Sequence, residues 1–380
     1  MFFRGDFLII FCACVFLKNI SSLETTTPEI NLLPVNYLLK FINKLENCVK
    51  RDPNLIRFYV ANNLRNSSSY TEIILNDILS LQNSGLVRNL PLKVLIHGID
   101  QSLTAQFPQD VKNAYLRSEQ ILTKNILIVD YGAMANIKTE SQLNGFDYPI
   151  CYVQAVLNTA TAGTRIAQLI QFIMDNGYAQ LNDTHIIGHS LGGHVGGFAA
   201  NHLQTLNGGK KPARLTALDP AAPGFRPKVL PVRPMTPDDA IFVDVIHTNQ
   251  ICFGVLGPVG QVDIFVNFAL FLQPPCVGNI TLKGFLVETL PDVLSLGSWC
   301  SHGASITYFS QSISDSLSVA TGVLGATGHT AILGENCSPS TYPGQYLYLE
   351  GNFNPGTYPS LRLWKPIYPD FINNALSWRS

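Results

Sequence analysis

The sequence predicts an α/β fold with a mostly parallel central sheet and helices on both of its faces. Short apolar runs recur along the chain, as at Leu92–Ile96, Asn125–Tyr131 and Arg214–Leu218. Segments whose apolar residues are spaced as in helices lie between such runs. This alternation of strand and helix is typical of parallel sheets that are buried on both sides.

Each further element is predicted from its own pattern. Strands are expected at Arg57–Val60, Ile241–Ile246 and Gln345–Leu349. A long helix is expected over Cys151–Asn176, because its apolar residues recur every three or four positions. A second helical segment, Val195–Leu206, is rich in glycine and alanine.

Composition and charge limit the classes of partner. The chain has 380 residues, of which 46% are hydrophobic and 13% charged, with a formal net charge of -1. Soluble domains carry about 25% charged residues, so large apolar surfaces must be buried or presented to a partner. Nucleic-acid-binding domains are basic, and no nucleic-acid partner is expected.

The N-terminus has the pattern of a signal peptide. Arg4 precedes the apolar run Phe7–Leu17, and cleavage is predicted near Ser21 or Ser22, which makes residues 1–22 the signal. The alternative is a membrane anchor, for which the run is short. Residues 23–380 are therefore predicted to form one secreted, extracellular domain without integral membrane association, and its oligomeric state is left open.

Cysteines and glycosylation sequons fit an extracellular protein. Cleavage of the signal leaves an even number of cysteines, so disulfides are expected, and none has the C-x-x-C spacing of a zinc site. They are Cys48, Cys151, Cys252, Cys276, Cys300 and Cys337. N-linked glycans are predicted at Asn66, Asn182, Asn279 and Asn336.

The segment Gly188-His189-Ser190-Leu191-Gly192 matches the G-x-S-x-G pattern of a nucleophile elbow. An apolar run enters it and a helical segment leaves it, and glycines on both sides of Ser190 avoid clashes at the sharp turn. The pattern predicts that Ser190 is a nucleophile. The alternative is a glycine-rich loop with an ordinary capping serine.

A nucleophilic serine needs a base, and the base needs an acid that orients it. Asp219 follows the predicted strand Arg214–Leu218 and is favoured as the acid, because active-site groups of α/β sheets lie at such ends. Its competitor, Asp244, lies in mid-strand and is expected to point away. For the base, the residue pattern leaves His247, His302 and His329 open, with a slight preference for His302.

Several ordered motifs of the chain together resemble the pancreatic-lipase family. They are Leu95-Ile96-His97-Gly98, Gly188–Gly193, Ala217–Phe225, Phe242–Thr248 and Cys300-Ser301-His302. The resemblance implies the α/β-hydrolase fold. It assigns Ser190 as nucleophile, Asp219 as acid and His302 as base, and it assigns the oxyanion hole to the backbone N–H groups of Leu191 and Ile99.

The resemblance also implies a lid over residues 276–300, closed by a disulfide between Cys276 and Cys300. The segment is apolar enough to cover Ser190 in water and to face lipid when open. The alternative is a plain disulfide loop packed on the core. The resemblance further pairs Cys48 with Cys151, which leaves Cys252 with Cys337.

The resemblance divides on the substrate. A full-length lid is typical of triacylglycerol lipases, whereas the short loop Asn249–Gln261 is like that of phospholipases A1. We therefore expect a serine hydrolase that cleaves lipid esters at a lipid–water interface and is triacylglycerol lipase-like. The alternatives are a phospholipase A1, a non-catalytic yolk or lipid-carrier protein, and a small-ester or thioester hydrolase without interfacial behaviour.

Neither a second domain nor a cofactor is expected. The sequence stops near Ser380, so the C-terminal β-sandwich domain of pancreatic lipase is predicted to be absent, and with it any dependence on a cofactor protein. Some family members hold a structural calcium near the position of Asp239. Here Thr236 stands where an acid is usual, and we expect no metal.

Overall fold

The computed structural model describes residues 49–348, except for 63–65, 67, 119–120, 138–146, 227–229, 251, 270–272, 278–289, 315–320, 324–329 and 342. The predicted signal peptide, Cys48, His329 and residues 278–289 of the predicted lid, with Asn279 among them, lie outside the described residues.

The described part of the chain forms one sheet of eleven strands. In chain order they are β1 (Arg57–Val60), β2 (Thr71–Ile73), β3 (Leu92–Ile96), β4 (Asn125–Asp130), β5 (Thr184–His189), β6 (Arg214–Leu218), β7 (Phe242–His247), β8 (Val262–Val266), β9 (Thr321–Val323), β10 (Thr330–Ile332) and β11 (Gly344–Tyr348). The sheet order is β10-β9-β11-β8-β7-β6-β5-β3-β4-β1-β2. All pairs from β11 to β4 are parallel, and the strands beyond them on both sides are antiparallel.

Helices cover both faces of this sheet. They are α1 (Ile78–Gln82), α2 (Gln106–Arg117), α3 (Gly132–Ala135), α4 (Asp147–Asp175), α5 (Leu191–Leu206), α6 (Pro274–Val277) and α7 (Leu290–Ser314). Apolar residues of α4 and α5 pack on one face, and those of α2 and α7 pack on the other. The fold is the predicted α/β-hydrolase fold.

The strands serve both cores because successive side chains of a strand point to opposite faces. In β3, Val94 and Ile96 enter the core beneath α4 and α5, whereas Leu95 enters the core beneath α2 and α7. All three are fully buried. This explains the continuous apolar runs in the sequence, which have no polar alternation because no face meets water.

Every strand that the sequence predicts is present, with ends shifted by at most a residue or so. The predicted long helix is α4, which begins before Cys151. Strands β2, β8, β9 and β10 were not predicted from the sequence. In β8 the acidic Asp263 interrupts an apolar run, and this carboxylate is buried because His247 and the backbone N–H groups of Val259 and Gly260 donate to it.

Arg214, at the start of β6, fixes the segment that contains Gly334 and Glu335 beneath the N-terminal ends of the strands. The guanidinium of Arg214 donates to both carboxylate oxygens of Asp244 at 2.8 Å. It also donates to the carbonyl oxygens of Gly334 and Glu335 at 2.8 and 2.7 Å. Asp244 therefore points away from the C-terminal ends of the strands, as the sequence analysis expected.

The predicted disulfide between Cys252 and Cys337 does not form, which corrects the sequence analysis. Cys337 lies beside Arg214 and Asp244, and its thiol is free. Cys252 lies beyond the C-terminal end of β7, next to Phe253, so the length of the sheet separates the two. Burial raises the pKa of the Cys337 thiol to about 12.

The remaining cysteines among the described residues, Cys151, Cys276 and Cys300, are disulfide-bonded. A bridge joins Cys276 to Cys300, with Cα atoms 5.7 Å apart. Cys151 is also in a disulfide whose partner lies outside the described residues, so its pairing with Cys48 stays a prediction. Among the described residues, no helix has the length and apolar character needed to cross a membrane.

Candidate active site

Ser190 lies at a sharp turn between β5 and α5. Its backbone has φ 56° and ψ −121°, a conformation that residues other than glycine rarely adopt. A Cβ atom on Gly188 would lie 2.1 Å from the carbonyl oxygen of Gly192, and one on Gly192 would lie 2.1 Å from that of Ile96. Only glycine fits at either position, and these two residues permit the turn that exposes Ser190 at the end of β5.

Hydrogen bonds to the loop after β6 hold this turn. The N–H of Ser190 donates to the carbonyl oxygen of Leu218 at 3.0 Å, and the N–H of Ala221 donates to that of Ser190 at 3.3 Å. One turn into α5, His194 Nε2 donates to the Ala221 carbonyl at 2.7 Å, and His194 Nδ1 accepts from Met235 N–H at 3.1 Å. Burial lowers the pKa of His194 to about 3, so the ring is a neutral structural link.

Asp219 and His302 form a short hydrogen-bonded pair next to this turn. His302 Nδ1 lies 2.6 Å from Asp219 Oδ2, and both side chains are almost completely buried. Asp219 Oδ1 accepts two further hydrogen bonds, from the N–H groups of Thr248 at 2.9 Å and Asn249 at 3.1 Å. This arrangement places a proton on Nδ1 of the imidazole, which leaves Nε2 as the proton acceptor.

Aromatic rings from three segments surround His302. Its ring centroid lies 4.8 Å from that of His189, the residue before Ser190. Phe253, in the loop after β7, lies 5.4 Å away, and Trp299 lies 6.3 Å away. His189 Nε2 also donates to the carbonyl oxygen of His302 at 3.3 Å, so the turn that carries Ser190 directly contacts the predicted base.

Asp130, at the end of β4, holds the loop after β3, which contains the predicted oxyanion donor Ile99. The carboxylate of Asp130 accepts from Leu103 N–H and Gly132 N–H, each at 3.0 Å, and lies 3.3 Å from His97 Nε2. Burial raises the pKa of Asp130, but the bonds from His97 and the two backbone groups outweigh burial and lower it to about 2. The ionised carboxylate thereby holds the loop that contains Ile99.

The two predicted oxyanion donors both lie next to Ser190. A Cβ atom built on Gly98 would lie 3.0 Å from Ser190 Cβ, so the loop before Ile99 packs against the serine. Ile99 is 7% exposed, and its N–H has no hydrogen-bond acceptor within the described part of the chain. Leu191 is the first residue of α5, where helix N–H groups lack intrahelical partners.

Other predicted residues lie apart from this group. His247 is fully buried, bonds to Asp263 at 2.8 Å and stacks on Phe265, which is a structural role. At the position considered for calcium, near Thr236, the guanidinium of Arg233 donates a hydrogen bond to the carboxylate of Asp239 at 2.8 Å. No group of three potential metal ligands occurs among the described residues. The side chains of Asn66, Asn182 and Asn336 are exposed, and glycans there stay a prediction.

Phe253 and Trp299, whose ring centroids lie 4.4 Å apart beside His302, were not predicted from the sequence as site residues. Nor were Gln273 and Ser301, which are completely buried next to the Asp219–His302 pair. The position of Ser301 directly before His302 was the available signal for one of them. Nothing in the local sequence marks Gln273, because its partners come from other parts of the chain.

Comparison with known proteins gives consistent matches. A family model described as Lipase matches residues 39–327. Hepatic triacylglycerol lipase of Homo sapiens is 32% identical over 256 residues, which cover 64% of this chain and 46% of that protein. Phospholipase A1 of Vespula squamosa is 30% identical over 266 residues, which cover 70% of this chain and 79% of that protein. The chain thus spans about half the length of the triacylglycerol lipases it matches.

Proposed function

Because the chain belongs to the Lipase family, we propose that it hydrolyses acyl ester bonds of lipids, with Ser190 as nucleophile, His302 as base and Asp219 as acid. The observation that carries this proposal is the 2.6 Å bond between Asp219 and His302 beside the strained turn at Ser190. Both of the predicted oxyanion donors adjoin the same serine.

The first half of the reaction forms an acyl-enzyme. Ser190 Oγ attacks the ester carbonyl carbon while His302 Nε2 takes the hydroxyl proton. The negative charge that develops on the carbonyl oxygen is stabilised by the N–H groups of Ile99 and Leu191, each contributing about 3 kcal/mol. Asp219 stabilises the imidazolium. The tetrahedral intermediate then collapses, the C–O bond breaks, and the alcohol leaves with the proton from His302.

The second half regenerates the serine. Water attacks the acyl carbon and gives its proton to His302, and the second tetrahedral intermediate uses the same oxyanion donors. Breaking the acyl–Oγ bond returns the proton to Ser190 and releases the fatty acid. The cycle needs no metal, since the two N–H groups and the imidazolium carry the developing charge.

The test compares Ser190→Ala with Ser84→Ala, a matched change at a buried serine that follows α1. Ester hydrolysis should fall about 10,000-fold or more in the first variant and stay near wild type in the second. A lipid-like phosphonate should label the wild type at Ser190, as read by peptide mass spectrometry. A folded wild type without labelling or hydrolysis would favour a lipid carrier instead.

The substrate is proposed as a triacylglycerol, with phospholipid cleaved at the first acyl position as the second candidate. One observation favours the second: the loop Asn249–Gln261, which contains Phe253 beside His302, is short, as the resemblance implies for phospholipases A1. Rates and positional products from trioleoylglycerol and from a defined phosphatidylcholine, measured in parallel, would decide between the two.

We also propose that the protein is extracellular and acts at a lipid–water interface, with residues 276–300 as a lid. The signal-peptide pattern at residues 1–22 supports export, and the apolar composition between Cys276 and Cys300 supports contact with lipid. On expression in insect cells, the protein should be found in the culture medium. It should lack residues 1–22 and lose mass on deglycosylation. An unprocessed, intracellular product would contradict export, and the absence of a rate increase above the critical micelle concentration would contradict the lid.

A further inference from the structure

A buried glutamine links the two loops that carry the predicted acid and base. Gln273 lies between β8 and α6 and is completely buried. Its Nε2 donates to the carbonyl oxygens of Thr248 at 2.8 Å and Val266 at 3.0 Å, and its Oε1 accepts from Asn267 Nδ2 at 3.0 Å. Both amide donors and the acceptor are therefore satisfied, which fixes the orientation of this side chain.

The peptide group between Thr248 and Asn249 connects Gln273 to the predicted acid, Asp219. The carbonyl of Thr248, which accepts from Gln273, and the N–H of Asn249 belong to the same planar peptide unit. That N–H donates to Asp219 Oδ1 at 3.1 Å, and the N–H of Thr248 donates to the same oxygen at 2.9 Å. A displaced Gln273 would tilt this peptide and move the donors that hold Asp219.

The main chain of Gln273 reaches the base from the other side. Its N–H donates to Ser301 Oγ at 2.8 Å, and Ser301 is completely buried directly before His302. Because His302 Nδ1 bonds to Asp219 Oδ2 at 2.6 Å, the contacts form a closed ring that starts and ends at Gln273. Hydrogen bonds in such networks strengthen one another.

An unusual turn brings Gln273 to this place. Asn267, Phe268 and Ala269 have φ values of 49°, 67° and 50°, a left-handed conformation that is rare for phenylalanine and alanine. Gln250 stabilises the turn, since its N–H donates to the Ala269 carbonyl at 2.8 Å and its Nε2 donates to that of Phe268 at 3.2 Å. Strained backbone of this kind persists where its surroundings enforce it.

We propose that Gln273 is a positioning residue that sets Asp219 against His302 and so supports proton transfer by His302. The inference rests on the proposed function and extends it to a residue that does not touch the substrate. The competing explanation is that Gln273 only contributes to folding stability, as any buried amide does.

The test uses Gln273→Met, which keeps the side-chain volume and removes its hydrogen bonds, with Asn125→Leu as the matched control. Asn125 is also a completely buried amide; it bonds to Asn62 and Val87 at the start of β4. Both changes should lower the melting temperature. Only Gln273→Met should lower kcat, by about 10- to 100-fold with little change in KM, because the interaction is needed for proton transfer.

A second readout separates positioning from stability. If Asp219 stabilises the imidazolium less well, the acid limb of the plot of kcat/KM against pH should move to lower pH in Gln273→Met and stay in place in Asn125→Leu. Ser301→Ala, which removes one hydroxyl, should shift the limb in the same direction with a several-fold loss of kcat. If Gln273→Met does not fold, the Ser301→Ala variant alone tests the positioning role.

Each outcome identifies the proposal it bears on. Wild type that is labelled at Ser190, combined with Gln273→Met and Ser301→Ala variants that keep the kcat and the pH profile of Asn125→Leu, would overturn the positioning role alone. Wild type without labelling or esterase activity would overturn both proposals. A loss of kcat with a shifted acid limb in the two site variants would establish the role.

Discussion

Gly254→Ala should disable the proposed acid without touching a reacting atom. A Cβ atom on Gly254 would lie 2.4 Å from Asp219 Oδ1, 2.8 Å from Cγ and 2.9 Å from Oδ2, whereas ordinary contacts begin at 3.4 Å. All three atoms are too close, so rotation of the carboxylate cannot relieve the clash. The backbone cannot retreat either, because Phe253 and Val255 are hydrogen-bonded to the loop after β6 on both sides of Gly254.

The size of the effect follows from these distances. The carboxylate must move by about 1 Å, which would stretch its 2.6 Å bond to His302 beyond hydrogen-bonding range. Misplacement by about 1 Å costs roughly 100-fold in rate, or about 2.7 kcal/mol of transition-state stabilisation. We expect kcat to fall by at least this factor, while KM stays within a few-fold of wild type.

Gly303→Ala is the matched control in the same site. Gly303 follows His302 in α7, and its added Cβ atom would meet only the side chain of Gln106, at 3.7 Å. Alanine is favoured over glycine in helices by up to about 1 kcal/mol, so this variant should keep full activity and melt slightly higher. Kinetics with a soluble p-nitrophenyl ester measure kcat and KM of the two variants, and thermal unfolding measures their melting temperatures. A folded Gly254→Ala variant with wild-type kcat would refute the reasoning.

Other predictions concern two buried ionisable groups, the Cys337 thiol and the Trp299 ring beside His302. Folding favours neutral His194, whose pKa falls from 6.5 to about 3, so its contribution to stability is present above pH 6.5 and lost as the pH falls toward 3; urea unfolding of His194→Gln should show a shallower pH dependence there, and an unchanged slope would count against it. Folding lowers the pKa of Asp130 from 3.8 to about 2, so its contribution is present above pH 3.8 and lost on acidification toward pH 2; the melting temperature of Asp130→Asn should vary less than that of wild type across this window, unless the carboxylate does not hold its loop. The Cys337 thiol, with its pKa raised to about 12, should react with an aromatic disulfide reagent only after unfolding, and fast reaction of the native protein would contradict its burial. Trp299→Ala removes the contact with Phe253 and should raise KM several-fold more for long-chain than for short-chain esters; equal changes for both would argue against a role in acyl binding.

Local sequence patterns predicted the parts of the site that depend on chain order. The elbow at Ser190 needs glycines at fixed offsets, and Asp219 follows directly on a recognisable strand, so both could be located from neighbouring residues. His302 was harder, because histidines occur in several settings and the residue pattern alone preferred it only slightly over His247. The structure separates these two histidines by their partners, since Asp219 contacts one and Asp263 the other.

What the sequence could not predict depends on contacts between distant segments. Gln273 owes its place to residues 248, 266, 267 and 301, and no spacing rule connects them. The wrong pairing of Cys252 with Cys337 has the same origin, because counting cysteines does not tell which end of a sheet each one occupies. Strand β8 was missed because the carboxylate of Asp263 interrupts the apolar pattern that predicts a buried strand.

The bridge between Cys276 and Cys300 has a consequence for how such a protein can diversify. It fixes the start and the end of residues 277–299 at one point, just outside the ring of hydrogen bonds through Gln273 and Ser301. Changes of sequence or length between Cys276 and the start of α7 at Leu290 should therefore leave Asp219 and His302 undisturbed. The segment that is proposed to contact the substrate can then change during evolution, while Asp219 and His302, which act in proton transfer, stay the same.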